Sequence, residues 1–149
     1  MAAPSKRNGK RGTPLLSERI HPISAPEDVI RRYVEATSAA DGDTAASLTA
    51  DDAVIELPGG GVLKGKEGAR QFAAKHVEAD GRKQSVSLTS LDARTADRFV
   101  ATLVMSNREV ATDELLYSMD VGSVFEVRDG LITRNQVFPS PGEAAAAAD

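Results

Sequence analysis

Cysteine and tryptophan are both absent from this 149-residue chain, and only 4% of its residues are aromatic. Without cysteine the protein has no disulfide, no thiolate nucleophile, and no zinc or iron–sulfur site built on cysteine ligands. The two histidines, His21 and His76, lie far apart in sequence, so a histidine-rich metal site is not expected. We therefore expect no metal site, and a core built mainly from Val, Leu, Ile and Ala.

Long apolar runs are absent as well. No stretch of 18 apolar residues occurs, so the sequence predicts no membrane span and no membrane partner. Residues 1–24 contain no apolar stretch long enough for a secretory signal, and we expect a cytoplasmic protein.

Charge is distributed unevenly along the chain. Residues 1–24 contain five basic residues and one acid, and they are interpreted as a disordered basic tail. The rest of the chain holds 13 basic and 21 acidic residues. An acidic body repels phosphate backbones, so no nucleic-acid partner is expected for the domain. The alanine run near the end predicts a second disordered tail over 141–149, which leaves one domain over 25–140.

The hydrophobic periodicity predicts two helices, a strand hairpin, a third helix and four further strands. The first helix follows Pro26, a short second one ends near Leu48, and the third covers Lys66–Ala79. The expected strands are Ala53–Leu57, Val62–Lys64, Ser85–Leu91, Arg98–Asn107, Leu115–Val127 and Leu131–Phe138. Arg128-Asp129-Gly130 predicts a tight hairpin turn between the last two strands.

The segment Phe99–Met105 is apolar on both alternate faces. A half-exposed antiparallel strand alternates apolar and polar residues, so both faces of this strand should be covered. One face would pack on the chain's own helices. The other requires a partner, and a symmetric homodimer supplies one.

This element order, together with four short segments, resembles the nuclear transport factor 2-like superfamily over residues 26–139. The superfamily includes ketosteroid isomerases, limonene epoxide hydrolases and SnoaL-like polyketide cyclases. The resemblance implies an α+β fold in which a cone-shaped, curved, mostly antiparallel sheet wraps around the three helices of the N-terminal half. It also implies an apolar pocket for a small apolar, oxygenated ligand. The segments are Arg32-Tyr33-Val34-Glu35, Ala50–Pro58, Leu63–Gly68 and Val124–Ile132.

Compared with the isomerases, Tyr33 matches the tyrosine that donates to the developing oxyanion. Asp120 lies close to the second oxyanion donor, but counted back from Phe125 it is one residue out of register. A β-bulge at Gly122 would restore it. The position of the isomerase base is Leu57, which carries no proton. Glu56 is adjacent and is the candidate proton shuttle, although neighbouring strand residues point to opposite faces.

Compared with the other members, Val137 occupies the position of the catalytic aspartate of the epoxide hydrolases. Asn135 matches a polar pocket residue of the cyclases and can orient a ligand or a water. His76 is a candidate general base, because an imidazole with a pKa near 6.5 suits proton transfer at neutral pH. Leu57, Phe72, Met105 and Val137 are expected to line the pocket with Asn135.

Two functions of different classes remain open. In the first, the domain is a cofactor-independent isomerase, cyclase or hydrolase acting on a steroid, terpenoid or polyketide, with Tyr33 and Asp120 stabilising an oxyanion and Glu56 or His76 moving the proton. In the second, it is a non-catalytic ligand-binding or dimerisation module, as Leu57 and Val137 at the family's carboxylate positions suggest.

Overall fold

The computed structural model describes residues 25–76 and 81–149. The predicted basic tail, residues 1–24, lies outside the described residues. The predicted α+β order is confirmed, with one additional helix at the C-terminal end. The elements are α1 (Pro26–Ser38), α2 (Gly42–Ser47), β1 (Thr49–Glu56), β2 (Val62–Lys64), α3 (Gly65–Ala74), β3 (Arg82–Ala93), β4 (Arg98–Glu109), β5 (Leu115–Arg128), β6 (Leu131–Phe138) and α4 (Pro141–Ala148).

The helix α1 is amphipathic and lies inside the curve of the sheet. Pro26 opens it, where the missing N–H costs no helical hydrogen bond. Its buried stripe includes Val29, Ile30 and Tyr33, which contribute to one core with the inner face of the sheet. Arg31 on the opposite side is exposed. The 3.6-residue period of the sequence thus fixes which side of α1 faces the core.

Within the described residues the strands form one curved sheet in the order β2-β1-β6-β5-β4-β3. All neighbours are antiparallel except β1 and β6, which run parallel. The predicted hairpin turn joins β5 to β6: Arg128 pairs with Leu131, and Asp129 and Gly130 both have positive φ. Two consecutive residues with positive φ are what a two-residue type I′ hairpin loop requires. The turn places β6 beside β5, and the parallel pairing with β1 on its other side puts β6 in the interior of the sheet.

The third helix is shorter than predicted. It ends at Ala74, and Lys75 and His76 follow in a turn whose backbone amides donate to Phe72 and Ala73. The remainder of the predicted helix, residues 77–79, lies outside the described residues. His76 therefore sits just beyond the helix end rather than on its apolar stripe.

The prediction of a disordered C-terminal tail was wrong for residues 141–148. These residues form α4, whose start is capped by Ser140: its hydroxyl accepts from the Glu143 backbone amide at 3.3 Å. Ala144 and Ala148 are buried against Val100 and Val124 on the outer, convex face of the sheet. Small alanine side chains let the helix approach the strands closely, which offsets the entropy of ordering the segment.

The same helix changes the argument for a homodimer. The outer face of β4 at Val100, which the sequence argument left for a second copy, is covered by the chain's own α4. Farther along the strand, Thr102 and Val104 are only partly exposed. The apolar second face of this strand therefore does not by itself require a partner. In the described part of the chain, no helix combines the length and the apolar character needed to cross a membrane.

Candidate functional site

A central cavity of about 450 Å³ lies between α1, α3 and the inner face of the sheet. Such volumes are in the usual range for small-molecule sites. Most of the lining side chains are apolar, and the polar ones are few. Among the lining residues are Tyr33, Thr37, Leu57, Phe72, Lys75, His76, Gln84, Met105, Met119, Val121, Ser123, Phe125, Asn135 and Val137.

Tyr33 is the largest fully buried side chain and borders this cavity from α1. Its ring stacks parallel to Phe72 with centroids 6.4 Å apart, and the ring of Phe125 meets it edge-on at 5.8 Å. These contacts restrict the position of the phenol. Burial raises the pKa of the Tyr33 phenol well above its ordinary value, so the group stays protonated at neutral pH. It is therefore a hydrogen-bond donor.

Asn135 lies on strand β6, and its side chain contacts the Tyr33 hydroxyl. Its Nδ2 donates to the Tyr33 hydroxyl oxygen at 3.3 Å, and the side chain is 1% exposed. The other end of the amide differs: within the described residues, Oδ1 of Asn135 has no hydrogen-bond partner. A buried amide normally satisfies both ends. The pair thus presents an unused acceptor beside a hydroxyl donor.

His76 lies on the α3 side of the cavity, with its ring edge-on to Phe72. Its Nδ1 is 3.2 Å from the Phe72 carbonyl oxygen, which can only accept, so Nδ1 carries the hydrogen in the neutral ring. Burial lowers the pKa of His76, although the backbone contacts to Phe72 and Ala73 oppose the shift. The imidazole is therefore neutral at pH 7, and its Nε2 carries the lone pair that can accept a proton.

A family model described as a SnoaL-like domain matches residues 30–135. The chain belongs to the SnoaL-like domain family. The match covers α1 through most of β6, and thus every element that lines the cavity. No curated protein sequence matches the chain.

Solved structures resemble this SnoaL-like domain over most of their length. One is described as a putative polyketide cyclase from a Silicibacter species, with 27% identity, TM-score 0.59, and coverage of 80% of this chain and 91% of that one. A Mycobacterium tuberculosis protein in complex with estradiol-17β-hemisuccinate has 22% identity, TM-score 0.60 and coverage of 76% and 93%. A Δ5-3-ketosteroid isomerase from Mycobacterium sp. has 17% identity, TM-score 0.60 and coverage of 77% and 93%. At these identities the last two show the shared fold.

The SnoaL-like domain brings most of the predicted site residues to one place. Tyr33 and His76, predicted to be catalytic, both border the cavity. So do all five residues predicted to contact a ligand, which are Leu57, Phe72, Met105, Asn135 and Val137. Their contact with a ligand stays a prediction.

The expected pairing of Asp120 with Tyr33 was wrong. Asp120 is exposed on the outer face of β5, while its neighbours Met119 and Val121 line the cavity. The bulge that would have reversed this is not found: Gly122 pairs regularly with Thr102 on β4. Without an extra residue the two-residue alternation of the strand holds, and Asp120 faces away from the cavity.

The expected role of Glu56 as a proton shuttle was also wrong, for the same reason. Glu56 lies on the outer face of β1, whereas Leu57 lines the cavity. An Arg134 Nη2 lies 3.0 Å from the Glu56 carboxylate. Arg134 also lies 3.8 Å from Glu126, which in turn is 3.4 Å from Arg98. We call these four residues the outer ion-pair ladder.

Four polar cavity residues were missed by the sequence reasoning. They are Thr37, Lys75, Gln84 and Ser123. Ser123 could have been found, because it alternates with Phe125 and is therefore on the same face. Lys75 follows the observed end of α3, and no pattern in the sequence indicated that end. Within the described residues, His, Asp and Glu side chains form no group of three that could hold a metal ion.

Proposed function

We propose that this SnoaL-like domain binds a small, mostly apolar molecule that carries one oxygen function, in its central cavity. The observation that carries the proposal is the buried pair of Tyr33 and Asn135 on the wall of an otherwise mainly apolar cavity of about 450 Å³. Apolar walls with a few convergent polar groups are typical of small-molecule sites. The apolar walls would cover the apolar part of the ligand, and the Tyr33–Asn135 pair would hydrogen-bond to its oxygen.

The protonated phenol of Tyr33 supplies the donor. Its ring is held by Phe72 and Phe125, so little side-chain freedom is lost when a ligand binds. The ligand oxygen accepts this hydrogen bond. A steroid, terpenoid or polyketide fits the description, in line with the neighbour that was crystallised with estradiol-17β-hemisuccinate.

Binding without conversion is favoured over the isomerase mechanism. Asp120 and Glu56 both lie on the outer face of the sheet, and Leu57 and Val137 line the cavity where relatives carry carboxylates. Among the lining residues that the structure describes, none is Asp or Glu. The described part of the cavity wall therefore holds no carboxylate that could take a proton from a carbon atom of the ligand.

His76 favours a second candidate function, a proton-transferring isomerase, cyclase or hydrolase. Its neutral ring is fixed by the Phe72 carbonyl through Nδ1, which leaves Nε2 as the base. In that reaction Nε2 would take a proton from the α carbon of a β,γ-unsaturated ketone, while Tyr33 stabilises the dienolate oxygen. The imidazolium would then return the proton to the γ carbon, which gives the conjugated enone and restores the neutral ring.

Binding of the uncharged fluorophore N-phenyl-1-naphthylamine, followed by its fluorescence, tests the first candidate. Val121→Trp fills part of the cavity and is expected to weaken binding by about tenfold or more, equivalent to about 1.4 kcal/mol. Asp120→Trp places the same side chain on the opposite face of the same strand, and its affinity should stay within about twofold, as expected for an exposed site. Equal losses in the two variants would contradict the cavity as the binding site.

Incubation with a β,γ-unsaturated decalone tests the second candidate. Isomerisation to the conjugated enone, followed by ultraviolet absorbance, should fall by about 10²-fold or more in His76→Gln if His76 is the base. Binding without any enone formation supports the non-catalytic proposal.

The homodimer and the cytoplasmic location stay predictions. For the homodimer, the start of β5 offers an apolar surface, where Leu115, Leu116 and Tyr117 are exposed.

A further inference from the structure

We infer that the central cavity selects ligands with a hydroxyl group over otherwise identical ketones, because Asn135 Oδ1 accepts the hydroxyl hydrogen. The inference rests on the proposed ligand binding and specifies the oxygen function of the ligand. It follows from Oδ1 of Asn135, the acceptor for which the described residues supply no hydrogen-bond partner.

The first step concerns the direction of the hydrogen bond within the pair. Nδ2 of Asn135 donates to the Tyr33 hydroxyl oxygen at 3.3 Å. The phenol therefore uses a lone pair toward Asn135, and its own hydrogen is available for a ligand. Among the described residues, this is the one hydrogen bond found for the Tyr33 hydroxyl.

The second step concerns the acceptor. Oδ1 of Asn135 is buried and has no partner within the described residues. Native proteins rarely leave a buried acceptor unpaired, and those that do often have a functional reason. Asn135 lines the cavity. Its Oδ1 is itself covered, so a bound molecule satisfies it by displacing the side chains that pack over the amide.

The third step concerns geometry. Oδ1 and Nδ2 belong to one planar amide, and Nδ2 is in hydrogen-bond contact with the Tyr33 hydroxyl. One ligand oxygen can therefore lie within reach of both Oδ1 and the phenol. A hydroxyl oxygen accepts from Tyr33 and donates to Oδ1 at the same time. A ketone oxygen accepts from Tyr33 but has no hydrogen to donate to Oδ1, so it gains one hydrogen bond fewer than the hydroxyl does.

Competition against N-phenyl-1-naphthylamine with decalin, 2-decalone and 2-decalol tests the inference. The three share one apolar frame and differ in their oxygen function. We expect 2-decalol to bind about tenfold more tightly than 2-decalone, as when a buried acceptor gains its partner. Equal affinities of the alcohol and the ketone would overturn the inference and leave the proposed function intact. A preference for the ketone would overturn it too, because it would mean that the Asn135 amide nitrogen faces the ligand.

Two variants separate the roles of the pair. Asn135→Leu removes Oδ1, so the alcohol and the ketone should bind with equal affinity. Tyr33→Phe removes the donor and should weaken both oxygenated ligands relative to decalin. Decalin binding thus reports that the cavity is intact. An alcohol preference that persists in Asn135→Leu would overturn the inference.

The wild-type comparison stands if either variant fails to fold, since the ranking of the alcohol and the ketone needs no substitution. Failure of the fluorophore and all three decalins to bind would remove the proposed function, and the inference with it. The two failures are therefore distinguishable.

Discussion

The two faces of β5 lead to different chemistry although they alternate along one strand. The inner face lines a cavity, and its residues are Met119, Val121, Ser123 and Phe125. The outer face bears charge and contacts α4, through Asp120, Gly122, Val124 and Glu126. A shift of one residue would exchange the two sets. Register, more than residue type, therefore decides which carboxylates can take part in a reaction in this fold.

Truncation of an inner residue should have the largest effect on stability. Phe125 is buried in the core and contacts the Tyr33 ring edge-on. Phe125→Ala removes those contacts and leaves a larger cavity, so we expect a loss of about 3–5 kcal/mol in the free energy of unfolding. Asp120→Ala on the outer face should change it by at most about 0.5 kcal/mol. Urea denaturation measures both. Similar losses in the two variants would contradict the stated difference between the inner and outer faces of β5.

Crowding of the outer face should have an intermediate effect on the free energy of unfolding. A Cβ at Gly122 would lie 2.7 Å from the Ala144 Cβ and 3.0 Å from the Pro141 Cα, so α4 must move. We expect Gly122→Ala to cost about 1–3 kcal/mol in urea denaturation. Gly142→Ala within α4 meets no atom within 4 Å and should stabilise by about 0.5–1 kcal/mol.

Fluorophore binding gives a second measurement on these two glycine variants. Both substitutions act on the outer face, so affinity for the cavity should be unchanged. A weaker affinity in Gly122→Ala alone would show that α4 influences the cavity through the sheet.

Loss of charge in the outer ion-pair ladder should have the smallest effect on the free energy of unfolding. Glu126 lies 3.4 Å from Arg98 and 3.8 Å from Arg134, and these side chains are partly exposed. Glu126→Gln should cost about 0.2–1 kcal/mol at low salt. The difference should shrink in about 1 M salt, where charges are screened within about 3 Å. Glu114→Gln in the exposed loop after β4 is the control, and an equal, salt-independent loss there would argue against the ladder.

Local patterns predicted most of the fold. The period of two in the later strands and the Asp129-Gly130 turn were sufficient to place β5 beside β6, and counting back from Phe125 already put Asp120 on the outer face. The C-terminal helix was missed because alanines alone give no contrast between two faces. The sequence did hold a signal for it, since Ser140 and Glu143 form the spacing of a capping box.

The polar pair of the cavity was predicted only in part. Tyr33 and Asn135 were each singled out, but their hydrogen bond joins residues 102 positions apart. It exists because β6 runs parallel to β1 and crosses over α1, and no local pattern encodes that pairing. The unpaired Oδ1 likewise follows from three-dimensional packing rather than from residue type.

The central position of β6 also has a consequence for how the chain folds. This strand is the last in sequence, yet it lies between β1 and β5, so the sheet cannot be completed until nearly all of the chain is available. Contacts between parts of the chain so far apart in sequence carry a large loop-closure cost, and we expect them to be the last to form. The cavity wall at Asn135 should therefore form late, after the rate-limiting step. Interactions that form after that step act mainly on the unfolding rate, so a ligand held by Asn135 would prolong the lifetime of the folded state without hastening its formation.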